Sequence, residues 1–177
     1  AKAERLLEVF KYARYRYGVD VFVIDSLMKC GLAEDDYNGQ KLFVERLADF
    51  KNQHKCHIHL VAHPRKGEDE KKAPSKIDIK GSGSIADLAD NCFGVWRNKV
   101  KEDAIDEALN QGYKPDETIA KKPDCILRCD KQRKGRWEGK THLWFDKASF
   151  QYLNYHGQRP IPLVEFSLPG IHNVVTQ

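Results

Sequence analysis

The chain has 177 residues, of which 41% are hydrophobic, and a formal net charge of +4 at neutral pH. This length suits one domain with a real hydrophobic core, and the composition excludes an intrinsically disordered protein. The sequence contains no apolar run of about 18 residues and no signal-peptide pattern, which argues against a membrane-spanning or secreted protein. The mildly basic charge is compatible with a phosphate-rich partner but does not require one.

The cysteines and the first residues bear on the compartment and on the extent of the chain. The five cysteines are odd in number, and three of them lie in or beside strand-like runs. This usage favours reduced core thiols in a cytoplasmic protein. The chain begins Ala-Lys-Ala and its only methionine is Met28, so we expect it to be part of a longer protein.

Hydrophobic spacing predicts alternating helices and strands in the first third of the chain. Residues 2–17 have the spacing of a helix, and the β-branched run from Val21 to Asp25 is typical of a buried parallel strand. Residues 40–53 place apolar side chains on one helical face. Residues 56–62 predict a second strand, and the charged stretch 63–80 predicts a mobile loop.

The remainder of the chain predicts further strands and one insertion. Ser84 is expected to cap a short helix that runs through Asp90. Residues 98–123 are expected to form an insertion with a short polar helix around 102–110. Strand-like runs occur at three places: 92–96, 125–129 and 141–145.

This order of elements predicts an α/β fold with a mainly parallel sheet, flanked by helices, and antiparallel strands at its C-terminal edge. We expect one domain over residues 1–153, with the insertion at about 98–123. The prolines and mixed residues of 154–177 predict a C-terminal tail that wraps around the domain or docks on it.

Asp25 is the first candidate for chemistry, because it falls at the carboxyl end of a predicted parallel strand. Open α/β sheets place their ligands at that end. A carboxylate there can hold a hydrated Mg²⁺ beside nucleotide phosphates. The alternative is an aspartate that only caps the turn after the strand. The sequence has no G-x-x-x-x-G-K-[ST] phosphate-binding loop to complete such a site.

His63 follows the second predicted strand. A polar side chain in this place can contact a γ-phosphate and report its loss to the loop beyond, and the alternative is a surface histidine. A rival interpretation makes zinc ligands of His57, His59 and His63. No Cys or His cluster elsewhere offers a fourth ligand at a familiar spacing, which disfavours zinc.

The segment Lys80-Gly81-Ser82-Gly83-Ser84 combines small residues with a preceding lysine and a following helix. Exposed backbone N–H groups and the helix dipole both favour an anion such as a phosphate. The segment has no side chains that read bases, so it would hold a nucleic acid by its backbone. The alternative is a flexible Gly-Ser turn.

The stretch from Lys131 to Trp137 is rich in cations and lies between two predicted strands, so we expect a loop or hairpin tip. Such a tip can reach a neighbour's phosphates, with Arg133 as an arginine finger that stabilises charge on the transferred phosphoryl group. The alternative is a solvated basic loop.

The order of these segments resembles the C-terminal part of the RecA-like P-loop NTPase motor of DnaB-type replicative ring helicases. Phage primase–helicases and the mitochondrial Twinkle helicase are the most similar members, and the resemblance covers about residues 1–153. It implies that Asp25 is the Walker-B acid, with Mg²⁺ held through water, and that His63 is the γ-phosphate sensor. It further implies that Lys80 to Ser84 form a channel loop on single-stranded DNA. Lys131 and Arg133 would reach into the adjacent subunit's ATP.

The resemblance also implies a partner set and an activity. Such motors are hexameric rings that couple hydrolysis of ATP, or another NTP, with Mg²⁺ to movement on single-stranded DNA and duplex unwinding. They are cytoplasmic in a bacterium or phage-infected cell, with no membrane partner, and a primase domain is often fused to them. The Walker-A loop and the catalytic glutamate of the family are absent from this sequence. We therefore expect the chain alone to hydrolyse no ATP and to bind none tightly.

Two other functions stay open. The chain could be a non-catalytic nucleic-acid-binding module with a RecA-like fold, or part of a RecA-like recombinase ATPase. The Lys-Gln-Arg element before a terminal hairpin favours the helicase over the recombinase. A likeness of fold alone does not decide between these functions.

Overall fold

The computed structural model of the chain describes residues 2–64, 73–81 and 83–163. Helices and strands alternate in the first part, and four strands dominate the second. The elements are α1 (Lys2–Tyr17), β1 (Val21–Asp25), α2 (Tyr37–His54), β2 (His57–Val61), α3 (Ser84–Leu88), β3 (Asn91–Arg97), α4 (Lys99–Asn110), α5 (Glu117–Ala120), β4 (Cys125–Gln132), β5 (Gly139–Asp146) and β6 (Gln151–Leu153).

Strands β1 and β2 pair in parallel, and one face of this two-stranded sheet packs on α1 and α2. Phe22 and Ile24 point into that core. The ring of Phe22 stacks on Phe10 of α1, with 4.3 Å between centroids, and meets Phe50 of α2 edge-on. Each such buried side chain stabilises the fold by about 1.5–3 kcal/mol, so this aromatic cluster fixes the sheet against both helices.

The opposite face of the same sheet is open, which corrects the prediction of a buried strand. Val21 and Val23 are 54% and 63% exposed, and Val61 of β2 is 38% exposed. The prediction failed because a run of β-branched residues is also typical of a strand that is covered on both faces. In the described ranges, however, only the face that carries Phe22 and Ile24 meets helices.

Helix α2 begins and ends with local signals that the sequence contains. The Asp36 side chain accepts a hydrogen bond from the backbone N–H of Gly39 at 2.8 Å. A Cβ on Gly39 would lie 2.1 Å from an Asp36 carboxylate oxygen, so another residue there would displace the Asp36 side chain from this position. Lys55 ends the helix in the left-handed conformation and turns the chain into β2.

The second sheet is an antiparallel meander in the order β3-β4-β5-β6. The prediction of a mainly parallel sheet is therefore wrong for the described residues, which contain one parallel pair and three antiparallel pairs. Short connections join β4 to β5 and β5 to β6, and such connections allow antiparallel pairing only. The α/β class itself is confirmed.

The residues between β3 and β4 form a folded unit that is fixed to the meander. Helix α4 starts at Lys99, earlier than predicted, because the Asn98 side chain accepts a hydrogen bond from the Lys101 N–H. The buried ammonium group of Lys101 contacts the Lys122 carbonyl and the Asp124 carboxylate, both at 2.6 Å. Asp124 in turn accepts a hydrogen bond from the Phe145 N–H of β5.

Four of the five cysteines are buried and all five are free thiols, as expected for core thiols. Burial raises the pKa of four of these thiols, those of Cys30, Cys56, Cys92 and Cys125, and so disfavours their thiolate forms. None of the helices that the structure describes is long and apolar enough to cross a membrane.

The first residues after β6 dock on that strand. The Gln151 side chain donates to the Ile161 carbonyl at 2.7 Å and accepts from the Ile161 N–H at 3.0 Å. This contact agrees with the predicted docking of the tail as far as residue 163. Residues 164–177 of the predicted tail lie outside the described residues, and the domain boundary at 153 stays a prediction.

Candidate functional site

Asp25 is the last residue of β1, as predicted, and its side chain is exposed. It lies beside Val61, the last residue of β2, in the parallel register. The peptide bond between Asp25 and Ser26 is cis. A single accessible carboxylate at the strand end fits a hydrated Mg²⁺, which takes one or two carboxylates and fills its other positions with water and phosphate oxygens.

His63 lies two residues beyond the end of β2, at the same C-terminal end of the strands as Asp25. Its side chain is exposed. Its backbone carbonyl accepts a hydrogen bond from the Lys80 N–H at 2.9 Å, and Pro64 forms an isolated antiparallel bridge with Ile79. The structure thus places Asp25, His63 and the start of the predicted phosphate-binding loop at the same end of the β1–β2 pair, although the sequence separates them widely.

The start of that loop is anchored to α2 and the residues before it. The Lys80 ammonium group lies 2.7 Å from the Glu34 carboxylate and is about one-third exposed. Gly81 has φ +115°, and a Cβ there would lie 2.3 Å from the Gln40 side-chain oxygen. Gln40 is buried and donates to the carbonyls of residues 33 and 34. Lys80 can therefore meet a phosphate only in competition with Glu34.

The residue that caps α3, at the end of this loop, is not the one predicted. Gly83 occupies the position before α3, and Ser84 is the first helical residue, so Ser84 is not the cap. The helix ends at Leu88 and does not reach Asp90, because Ala89 adopts an extended conformation. Ser82, which we predicted to contact DNA, lies outside the described residues.

Lys131 and Arg133 both face α3 of their own chain. The Lys131 ammonium group donates to the carbonyls of Ala86 and Asp87, each at 2.8 Å. The Arg133 guanidinium donates to the Asp87 carbonyl and to the Asp90 carboxylate, each at 3.1 Å. The prediction of a hairpin connection holds for Arg133, which lies between the antiparallel strands β4 and β5, but it is wrong for Lys131, which belongs to β4.

Asp90 is a residue of this site that sequence reasoning missed. Its carboxylate forms ion pairs with Arg133 and with Lys51 of α2. The hydrogen bond from Lys51, together with the charges of Lys51 and Arg133, lowers the pKa of this carboxyl group. An acid directly before a strand was visible in the sequence, but its two cationic partners are distant in sequence and gave no signal.

The histidines of β2 do not form a zinc site with the residues around them. His57 and His59 share the open face of the sheet, as expected, with 4.4 Å between ring centroids. Within the ranges 2–64, 73–81 and 83–163, no group of three or more His, Cys, Asp or Glu residues is placed to hold a metal ion. The zinc interpretation thus gains no support from the fold.

A comparison with known proteins gives an informative similarity. No family model matches the chain. The chain is 29% identical over 110 residues to the DNA helicase/primase of Enterobacteria phage T3. The matched part is 56% of this chain but only 19% of that relative. The similarity supports a relation between this chain and the phage helicase/primases.

Proposed function

We propose that the chain is part of the motor of a replicative DNA helicase, which couples hydrolysis of ATP or another NTP to movement along single-stranded DNA and duplex unwinding. The similarity to a phage helicase/primase supports this proposal. The observation that carries it is the placement of these residues in the fold. Asp25 ends β1, His63 follows the end of the adjacent strand β2 and binds the Lys80 loop, and that loop leads into the helix that Arg133 contacts.

In this proposal the strand ends form one side of a nucleotide site. Asp25 holds Mg²⁺ through water, and the ion supplies charge neutralisation for the nucleotide phosphates. His63 contacts the γ-phosphate and passes its loss to Lys80 through the backbone hydrogen bond between them. The chain alone has no phosphate-binding loop and no suitably placed catalytic glutamate, so we expect it to be inactive without further residues.

The backbone N–H groups of the loop from Lys80 to Ser84 hold the single strand in this proposal. Small residues permit a close approach of the phosphates, and Lys80 adds charge when it leaves Glu34. In a hexameric ring, Lys131 and Arg133 serve the nucleotide of the adjacent subunit. The conformation described here has both cations bound to α3, so action on a neighbour requires them to exchange partners.

A decisive experiment uses a longer protein that joins this chain to an upstream phosphate-binding loop. We expect DNA-stimulated ATP hydrolysis and unwinding of a forked duplex. Asp25→Ala should abolish both, and Arg133→Ala should lower the turnover rate about 10³-fold or more while nucleotide binding persists. Asp35→Ala, which removes another exposed acid, is the matched control.

Two results would contradict the proposal. One is undiminished hydrolysis in the Asp25→Ala variant of the longer protein. The other is ATP turnover by the purified 177-residue chain that disappears in Asp25→Ala, because this would show a complete site within the chain. Mixing Arg133→Ala subunits with Asp25→Ala subunits tests action between neighbours, since a ring of both variants regains some intact sites.

A non-catalytic nucleic-acid-binding module is the second candidate. The inward orientation of Lys131 and Arg133 favours it, because both cations already have partners within the chain. In such a module both residues would stabilise α3 only. DNA binding would then survive without any nucleotide dependence in the longer protein, whereas the helicase proposal expects nucleotide and DNA affinities to depend on each other.

A further inference from the structure

The end of β4, the connection to β5 and the start of β5 together carry the excess charge of the molecule. The ten residues 131–140 contain five cations and one acid. Their net charge of +4 equals that of the whole chain, so the remainder is neutral on balance. We call the four exposed residues from Lys134 to Trp137 the basic tip.

The cations of this stretch divide into two groups. Lys131 and Arg133 face α3, as described above. Lys134 and Arg136 of the basic tip are exposed, and neither forms an ion pair or hydrogen bond with the described part of the chain. Lys134 lies close enough to Asp90 to help lower the pKa of that carboxyl group. The basic tip therefore presents two cations that no carboxylate or carbonyl of the described residues binds directly.

The backbone of the basic tip is held in place by β4. The Cys129 thiol lies 3.6 Å from the Trp137 carbonyl, and the Gln132 side-chain oxygen accepts a hydrogen bond from the Trp137 N–H at 3.4 Å. A Cβ on Gly135 would lie 1.8 Å from the same Gln132 oxygen, so the turn closes tightly over that side chain. These contacts distinguish the tip from a loose charged loop.

The side chain of Trp137 is half exposed within this fixed turn. Its ring lies against Gly139, where a Cβ would be 3.0 Å from the ring. By contrast, Trp144 donates its indole N–H to the Lys121 carbonyl. The Trp137 indole donates no hydrogen bond to the residues that the structure describes. A large aromatic surface is thus left open directly after Arg136 and three residues after Lys134.

This combination fits a single nucleic-acid strand better than other polyanions. Unpaired bases stack on exposed aromatic rings, and clustered cations contact the phosphates on either side. A duplex hides its base faces inside the stack, and an acidic peptide offers charge but no flat partner for the indole. We infer that the basic tip is a second contact for single-stranded DNA, with a base on Trp137 and the flanking phosphates on Lys134 and Arg136. The inference rests on the proposed function, which supplies DNA as the ligand, and it adds a second binding site to that function.

The experiment measures the affinity of the purified 177-residue chain for a fluorescent oligothymidylate at several salt concentrations. Trp137→Leu should weaken binding about 5- to 150-fold, the loss typical of one stacked base. Trp137→Phe should retain most of the affinity and shows that the fold tolerates the change. Replacing Lys134 and Arg136 with glutamine should flatten the slope of log K against log salt by about 0.7 for each lost phosphate contact.

The matched control replaces two other exposed cations, Lys147 and Arg159, with glutamine. This variant has the same net charge as the tip variant, so a change confined to the tip variant excludes a general charge effect. Circular dichroism and urea midpoints confirm that each variant is folded. Duplex DNA and heparin serve as polyanions without accessible base faces.

The results separate the failure of this inference from that of the proposed function. No binding of the oligothymidylate would overturn the tip, whereas the proposed function would still be decided by hydrolysis and unwinding in the longer protein. If Lys80→Ala lowers the affinity for the oligothymidylate and the tip variants do not, the proposed channel loop is supported and the inference about the tip is overturned. Equal affinity for heparin, with Trp137→Leu unchanged, would show charge attraction only and overturn the stacking contact. A change in oligomeric state in place of DNA affinity would assign the tip to contacts between copies, against the inference.

Discussion

At the scale of single residues, Gly81 shows how closely the loop is fitted to α2. Its φ of +115° is unfavourable for any other residue, and the space that a Cβ would occupy is filled by the Gln40 side chain. Gly83, two residues later, has a helical φ of −55° and open space around it. The two glycines therefore have different reasons to be present, although the sequence alone makes them look equivalent.

This difference gives a direct prediction. Gly81→Ala should lower the free energy of unfolding by about 1–3 kcal/mol, because it combines backbone strain with a steric clash. Gly83→Ala should change it by less than about 1 kcal/mol, in either direction. Urea denaturation of both variants checks this, and equal effects at the two positions would contradict the close packing of Gly81 on α2.

Asp90 gives a prediction about pH. Its pKa is lowered in the fold, so its contribution to stability is fully present above its unfolded pKa and is lost as the pH falls through the folded pKa. Asp90→Asn should cost about 1 kcal/mol at neutral pH, and the difference from the wild type should shrink below about pH 4.

The check is the urea midpoint of both proteins between neutral and acidic pH. Asp116 and Asp146 also have lowered pKa values because they accept hydrogen bonds from nearby hydroxyl and N–H groups, but they are unchanged in the variant. Their contributions therefore cancel in the comparison. Asp106→Asn, which alters an exposed acid of α4, is the control. A stability difference that is the same at all pH values would contradict the ion-pair explanation.

At the scale of elements, local sequence patterns predicted individual helices and strands well, but they did not predict which strands pair with each other. Helices α1 and α2 and strands β1 and β2 follow from residue spacing, and the position of Asp25 at a strand end follows from the same local pattern. The antiparallel order of β3 to β6 could not be predicted, because alternation within a strand says nothing about its neighbours.

The candidate site shows the same limit. The positions of Asp25 and His63 at strand ends were predictable from the sequence. The orientation of Arg133 was not, since it depends on Asp90, which lies 43 residues away in the chain. The ion pair between Lys80 and Glu34 could not be predicted either, because the fold brings together two loops that are distant in sequence.

The unit formed by α4 and α5 yields a prediction about its attachment. Lys101→Ala should lower the free energy of unfolding by about 3 kcal/mol, because it leaves the carboxylate of Asp124 without its buried cation. Lys121→Ala removes an exposed ion pair with Glu117 and should cost at most about 1 kcal/mol. Chemical denaturation of the two variants compares a buried and an exposed pair, and similar losses would contradict the attachment described above.

At the scale of the whole molecule, the open face of the β1–β2 sheet is the surface that most favours association with other chains. Its valines are exposed, and within the described residues β1 pairs with β2 only. An uncovered apolar face beside an unpaired strand edge promotes association. The molecule thus combines a well-packed side, formed by α1 and α2, with a side that favours contact with other chains.

Val23→Lys tests this view of the whole molecule. The substitution places a charge on the open face, so it should reduce self-association while changing the free energy of unfolding by less than about 1 kcal/mol. Light scattering over a concentration series measures the association. Val9→Lys, at an exposed position of α1, adds the same single positive charge away from the sheet. Unchanged scattering in Val23→Lys would show that another surface dominates association.

The shortness of α3 has a consequence for how the two ends of the proposed site communicate. A helix of five residues has no stability of its own in water, so α3 persists only through what holds it. Ile85 anchors its start in the core, and Lys131 and Arg133 bind its last carbonyls. Any event that draws Arg133 away lowers the local unfolding free energy of the same turn that follows the Lys80 loop. By thermodynamic reciprocity, a ligand that orders the loop must retain Arg133 more firmly in its present position.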